Sequence, residues 1–170
     1  LRERGHLNER LLLVHGNYLS NEEIRLLRGS GVTVIHSPGS SRYFGHRRLP
    51  IQSFFYNDIR IAIGTDSLAS NETLSMLRQM KMMKETYPSL GEEDLLRMAT
   101  FNGARALGME GEIGILEPGK KADLVGIPLL DRAIDPYEAL LKPDEVNFLM
   151  VDGKVVMGYV SLTQTFHSIS

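Results

Sequence analysis

Leu11-Leu12-Leu13-Val14-His15 and Val32-Thr33-Val34-Ile35-His36 bracket the stretch that decides the fold. Leu11 to Val14 is a continuous apolar run, the pattern of a strand buried on both faces. Val32 to Ile35 is β-branched throughout and reads as a second strand. Between them, Ser20 with Glu23 three positions later makes a capping box. It opens a short helix carrying Ile24, Leu26 and Leu27, and Gly29 and Gly31 mark its end. Strand, helix and strand in this order predict parallel pairing through a right-handed crossover.

The same alternation continues outward. After a polar loop, Ile51 to Tyr56 reads as a helix and Ile59 to Ile63 as a third strand. Asn71 to about Glu85 reads as a helix with Met76, Met80 and Met83 on one face, a stripe that suits core packing better than a cofactor box. Ser89 and Glu92 form a second capping box for a helix carrying Leu95, Leu96 and Met98. A short helix then follows Thr100 and stops at Gly108. From about Gly111 the pattern changes to glycine-punctuated strands: Ile113 to Leu116, a Pro118-Gly119 turn, and Leu124 to Ile127. Phe148 to Val151 and Val155 to Met157, joined through Asp152-Gly153, read as a hairpin with a type I′ turn. The expected organisation is a β/α unit over residues 1–110 and a small β layer over residues 111–170.

Composition narrows the function classes. The 170 residues carry 19 Lys plus Arg against 21 Asp plus Glu, a net charge of −2, which argues against a nucleic-acid partner or a polybasic membrane-surface module. With no cysteine, disulfides and thiolate metal sites are excluded, and imidazole and carboxylate sites stay open. No apolar run reaches the length of a membrane helix and no signal-like start is visible, so the expected location is the cytoplasm. The start at Leu1, almost at once in strand-like sequence, leads to the expectation of a fragment.

His15 follows the first strand, His36 the second, and Asp66 closely follows the third in Gly64-Thr65-Asp66-Ser67. In parallel α/β architectures the carboxyl ends of the strands form the ligand-binding face. Imidazole and carboxylate together are also the usual ligands of a borderline divalent ion. Each residue has a plainer reading: His15 as a hydrogen-bonded structural histidine, Asp66 as an Asx-turn, His36 as a brace for Ser37-Pro38-Gly39. The basic loop Ser40 to Arg48 could contact an anion through Arg42 or stack a ring on Tyr43 and Phe44, or simply form a solvated rim.

Leu13-Val14-His15-Gly16, Val34-Ile35-His36-Ser37-Pro38 and Ile61-Ala62-Ile63-Gly64-Thr65-Asp66-Ser67-Leu68-Ala69-Ser70 together resemble the last third of the amidohydrolase superfamily. Ala99 to Gly108 and Leu116 to Val125 match the same group. The nearest branch is that of chlorohydrolases and aminohydrolases, which includes guanine, cytosine and S-adenosylhomocysteine deaminases. The resemblance implies an α/β fold: the C-terminal portion of a distorted eight-stranded TIM-type barrel, about strands six to eight with their helices, plus part of a small β-sandwich. It also implies a metal-dependent hydrolase that attacks a C–N bond of a ring or amidine substrate with activated water. His15 would be catalytic, and Asp66 both catalytic and a metal ligand. His36, Ser41 and Arg42 would bind substrate, Ser41 standing where relatives often carry asparagine.

The implied cofactor is one divalent ion, zinc first and iron as the alternative, whose remaining ligands this chain lacks. The family's first-strand histidine pair, its fifth-strand histidine and the following glutamate have no counterpart here. The expected partners are a small-molecule substrate and either a second copy or the missing N-terminal half. The competing functions are a catalytically silent fragment or interaction module, and a C–Cl hydrolase. A doubly wound nucleotide-binding domain has little support, because no Gly-x-Gly-x-x-Gly or phosphate-loop pattern is present.

Overall fold

The computed structural model describes residue 3 and residues 5–129 and 135–158. Its elements in chain order are β1 (Leu12–Val14), α1 (Asn21–Leu27), β2 (Thr33–His36), α2 (Pro38–Tyr43), α3 (Ile51–Tyr56), β3 (Arg60–Ile63), α4 (Met76–Thr86), α5 (Glu92–Ala99), α6 (Phe101–Ala106), β4 (Leu124–Gly126), α7 (Pro136–Leu140), β5 (Phe148–Val151) and β6 (Lys154–Met157). β1, β2 and β3 form a parallel sheet in sequential order, with Leu12 opposite Thr33 and Val34 opposite Ile61. A doubly wound domain would reverse its strand order within a few strands. Three parallel strands in sequential order suit one sector of a barrel.

The expected Ser20 box is present: the Glu23 N–H donates to Ser20 Oγ, and the Ser20 N–H to Glu23 Oε2 at 2.8 Å. Ile24 and Leu27 turn into the core while Leu26 faces outward. The core lies between the sheet and the helices α1, α3, α4 and α5. Val34, Ile61, Phe54, Leu95, Met80 and Met83 are all buried, so two of the three methionines at helical spacing are core residues and Met76 packs against them. Asn102 Nδ2 donates to the Ile61 carbonyl at 2.8 Å and ties α6 to β3.

Several expectations fail for local reasons. β1 is not buried on both faces: Leu12 and Val14, two residues apart and so on one face, are 36% and 59% exposed, while Leu13 on the other face packs against the core. The helix expected from Asn71 begins at Met76, since Asn71 bonds the Thr65 carbonyl and the Thr73 N–H instead of joining a helix. Ser89 caps nothing; α5 starts from Gly91, and Glu92 pairs with Lys84 at 3.0 Å. The polar loop after β2 contains α2, with Pro38 in its first turn, where a missing N–H costs no helix bond. Ile113 to Leu116 form no strand, being taken up in turns that start from the Met109 carbonyl.

β4, β5 and β6 make a separate antiparallel sheet. Asp152 and Gly153 have φ of 49° and 76°, both left-handed as a type I′ hairpin requires. Helix α7 was not expected from the sequence; the Asp135 carboxylate caps it through the Tyr137 N–H. Ile127, Leu140, Leu141 and Val146 pack onto the main core, so the C-terminal segment shares it. Residues 159–170 of that segment lie outside the described residues.

Leu95 is fully buried at the meeting of α5 with β3. Leu95→Ala is expected to cost about 2–5 kcal/mol, read from denaturant midpoints, whereas truncating exposed Leu26 costs a few tenths.

Candidate active site at the strand ends

Both ladders of the parallel sheet run one residue past the strands: the His15 N–H donates to the Ile35 carbonyl at 2.7 Å, and the Gly64 N–H to the His36 carbonyl at 2.9 Å. These bonds fix where the chain leaves the sheet. His15 and Asp66 then adopt left-handed backbone, with φ of 71° and 58°. His15 Nε2 comes within 3.8 Å of Asp66 Oδ2, so two residues fifty-one positions apart meet on one rim. Each is about one third exposed and so open to a ligand.

Asp66 is held by neutral donors. Its Oδ2 accepts from Ser40 Oγ at 2.8 Å and Ser70 Oγ at 3.3 Å, and its Oδ1 from the Ser67 N–H at 2.9 Å. The Ser40 hydroxyl, then the Ser67 N–H, lower the Asp66 pKa below the ordinary carboxylate range, with the Ser70 hydroxyl and His15 adding to them. The bond to the next residue's N–H is not the Asx-turn that the plainer reading would require.

His36 lies beneath His15 and is 3% exposed. Burial, and then the charge of His15, push its pKa down to about 4, so it is neutral at physiological pH. Its Nδ1 has no partner among the described residues, and neither does the buried hydroxyl of Ser41. Arg42 points away to Glu85, at 2.8 Å. The structure therefore brings His15, Asp66 and His36 together, places Ser41 below the rim, and leaves Arg42 outside the group.

Other residues were not singled out from sequence. Ser40, rather than its neighbour Ser41, holds Asp66; helical spacing after Pro38 was the missed signal. His46 packs 6.1 Å from the His15 ring and its Nδ1 meets Tyr18 Oη at 3.2 Å. Together with Asn17, Leu19 and Glu23, these two side chains line an open cleft of about 490 Å³ next to His15.

His15 and Asp66 are of the right chemical type for a divalent ion. Among the described residues, however, no three His, Cys, Asp or Glu side chains group to hold one. A catalytic zinc takes about three protein ligands. The pair fits as part of a cage and not as a whole one.

The pattern of the amidohydrolase family matches residues 1–156. The chain belongs to that family. Within it, this amidohydrolase chain is 36% identical to a 5-methylthioadenosine/S-adenosylhomocysteine deaminase of Pyrococcus abyssi, covering 92% of this chain and 40% of the relative. It is 30% identical to an S-triazine hydrolase of Gordonia rubripertincta, over 92% of this chain and 36% of that one. Among solved structures it is similar to an adenosine deaminase from Xanthomonas campestris with bound zinc, at TM-score 0.85 and 30% identity, covering 92% of this chain and 39% of the other. The chain thus spans about two fifths of the length of these relatives, and its parallel unit is consistent with part of a barrel. Among the described residues no helix is long and apolar enough to cross a membrane.

Because His36 is neutral when folded and titrates normally when unfolded, the unfolded chain binds the extra proton as pH falls from 6.5 to about 4. Stability is therefore full above that window and falls through it, by on the order of 3 kcal/mol from this residue. Denaturant midpoints measured across the window should fall less steeply for His36→Gln than for the parent.

Proposed function

We propose that the full-length protein is a metal-dependent hydrolase that releases an amine from a carbon of a ring or amidine substrate. The convergence of His15 and Asp66 at 3.8 Å on the strand-end rim carries this reading. Asp66 would hold a divalent ion, zinc first, together with ligands from outside these residues. The ion's chemistry there is to make water acidic enough to lose its proton near neutral pH.

Asp66 is kept ionised by three hydrogen bonds, so it attracts the cation but is a weak base toward ordinary water. Asp66 would accept a proton from the attacking water and pass it toward the leaving amine. His15, open to the cleft and beside the carboxylate, stabilises charge that develops on the substrate. Neutral His36 and the hydroxyl of Ser41 lie below as further polar contacts. Arg42 reaches substrate by leaving Glu85, an exposed pair whose loss costs at most about 1 kcal/mol.

In this reading β1, β2 and β3 are barrel strands six to eight, residues 1–110 are barrel, and residues 111–170 belong to the small β-sandwich. The exposed edge at β1 pairs with the preceding part of the barrel or with a second copy. Balanced charge fits a small-molecule substrate and a cytoplasmic protein rather than a nucleic-acid partner. The deaminase names of the relatives favour amine over chloride as the leaving group. Because the ligand set among the described residues is incomplete, the 170 residues alone would be catalytically silent.

Asp66→Asn in the full-length protein is expected to lower ammonia release about 10²- to 10⁴-fold and to reduce bound zinc, as measured by coupled assay and elemental analysis. Unchanged turnover would remove the role given to Asp66. The isolated 170-residue chain should show no turnover with added zinc.

A further inference from the structure

Gly39 occupies the first turn of α2, where a backbone N–H has no carbonyl in its own helix to bond. That N–H donates to Gln79 Oε1, 3.0 Å away on α4 and forty residues later. Gln79 is completely buried beside Met80 and Met83. A primary amide is a costly choice there, and its Nε2 has no partner among the described residues. A leucine or methionine would pack in the same place without the orphaned donor. What the glutamine has, and an apolar residue lacks, is an acceptor for α2.

A second buried amide closes on the same glycine. Asn71 Nδ2 donates to the Thr65 carbonyl at 2.6 Å, and its Oδ1 accepts from the Thr73 N–H at 3.4 Å. A Cβ on Gly39 would overlap the Asn71 amide, so only glycine lets α2 approach this closely. Gln79 and Asn71 thus grip α2 from α4 and from the loop that carries Asp66. The residue after the gripped glycine is Ser40, whose hydroxyl donates to Asp66 Oδ2.

We propose that Gln79 is a positioning residue: with Asn71 it clamps Gly39 so that the Ser40 hydroxyl stays on Asp66. Gln79 touches neither Asp66 nor a substrate and acts only through α2. The effect on turnover rests on the proposed function; the mechanical link does not.

The test uses the full-length protein with Gln79→Leu, Gln79→Glu, Ser40→Ala and Gly39→Ala. Amide exchange over residues 38–41 and crystal structures of the variants report the clamp. Steady-state kinetics report its consequence. Gln79→Leu is expected to speed exchange over 38–41 while leaving β2 and β3 protected, to break the Ser40–Asp66 contact, and to lower kcat about tenfold with KM within about twofold. Gln79→Glu keeps the acceptor and should restore all three. Ser40→Ala should lose a similar factor, and adding Gln79→Leu to it should cost little more, since both act on one contact. Should Gln79→Leu fail to fold, Gly39→Ala wedges α2 off Asn71 with Gln79 intact and should give the same result.

A Ser40–Asp66 contact and exchange rates unchanged in Gln79→Leu, or in Gly39→Ala where that replaces it, would overturn the clamp. A broken contact with undiminished kcat would overturn its positioning role and leave the hydrolase reading standing. If the parent protein releases no amine, the hydrolase reading falls, and exchange together with the crystal contact still decides the clamp.

Discussion

His15 and Asp66 each leave a parallel strand through left-handed backbone, at φ of 71° and 58°, and the site depends on those two turns. For a side chain other than glycine this conformation costs on the order of 1–2 kcal/mol, so surrounding bonds have to impose it. At His15 the imposing bonds are its own N–H on the Ile35 carbonyl and the Gly16 N–H on the Val14 carbonyl. At Asp66 they are the Asn71 amide on the Thr65 carbonyl and the Ser67 N–H on the carboxylate. Extended backbone at either position would carry the chain straight on past the sheet edge and separate the imidazole from the acid. Sheet register, strand-end turns and side-chain placement therefore form one mechanical chain. The parallel pairing of His36 with Ile63 sets the heights from which β2 and β3 end.

How much of this was readable beforehand follows from the range of the forces involved. The Ser20–Glu23 box, the Asp152-Gly153 turn and the β-branched second strand are set by neighbours within a few residues, and all are found where expected. Candidate positions His15, His36 and Asp66 were legible because a polar residue after an apolar run marks a strand end. Which hydroxyl holds Asp66 was not legible, since the Ser40 contact spans twenty-six residues and depends on the helical pitch of α2. Asn71 misled for the same reason: its amide satisfies the Thr65 carbonyl, a tertiary demand that overrides a helical pattern starting there. The double-sided burial expected of β1 also needed knowledge of what lies on its outer face.

Burial sorts the two strand-end histidines into different jobs. His36, covered by the sheet and beneath His15, cannot be charged near neutral pH. His15 is about one third exposed, beside a carboxylate and on the open cleft. The buried ring is thus a neutral polar group, and the exposed one is the ring that a ligand in the cleft can reach.

The nature of the groups on Asp66 matters as much as their number. A lysine or arginine paired with it would also lower its pKa, but would cancel its charge and compete with any cation offered to the rim. Two hydroxyls and a backbone N–H lower the pKa while leaving the full negative charge in place. Among the described residues His15 alone pairs with it, at 3.8 Å and only if protonated. A carboxylate kept ionised by dipoles and left without a fixed cationic partner among the described residues suits the metal-binding role proposed for Asp66. The serine cradle is therefore the feature of Asp66 on which its proposed role as a ligand rests.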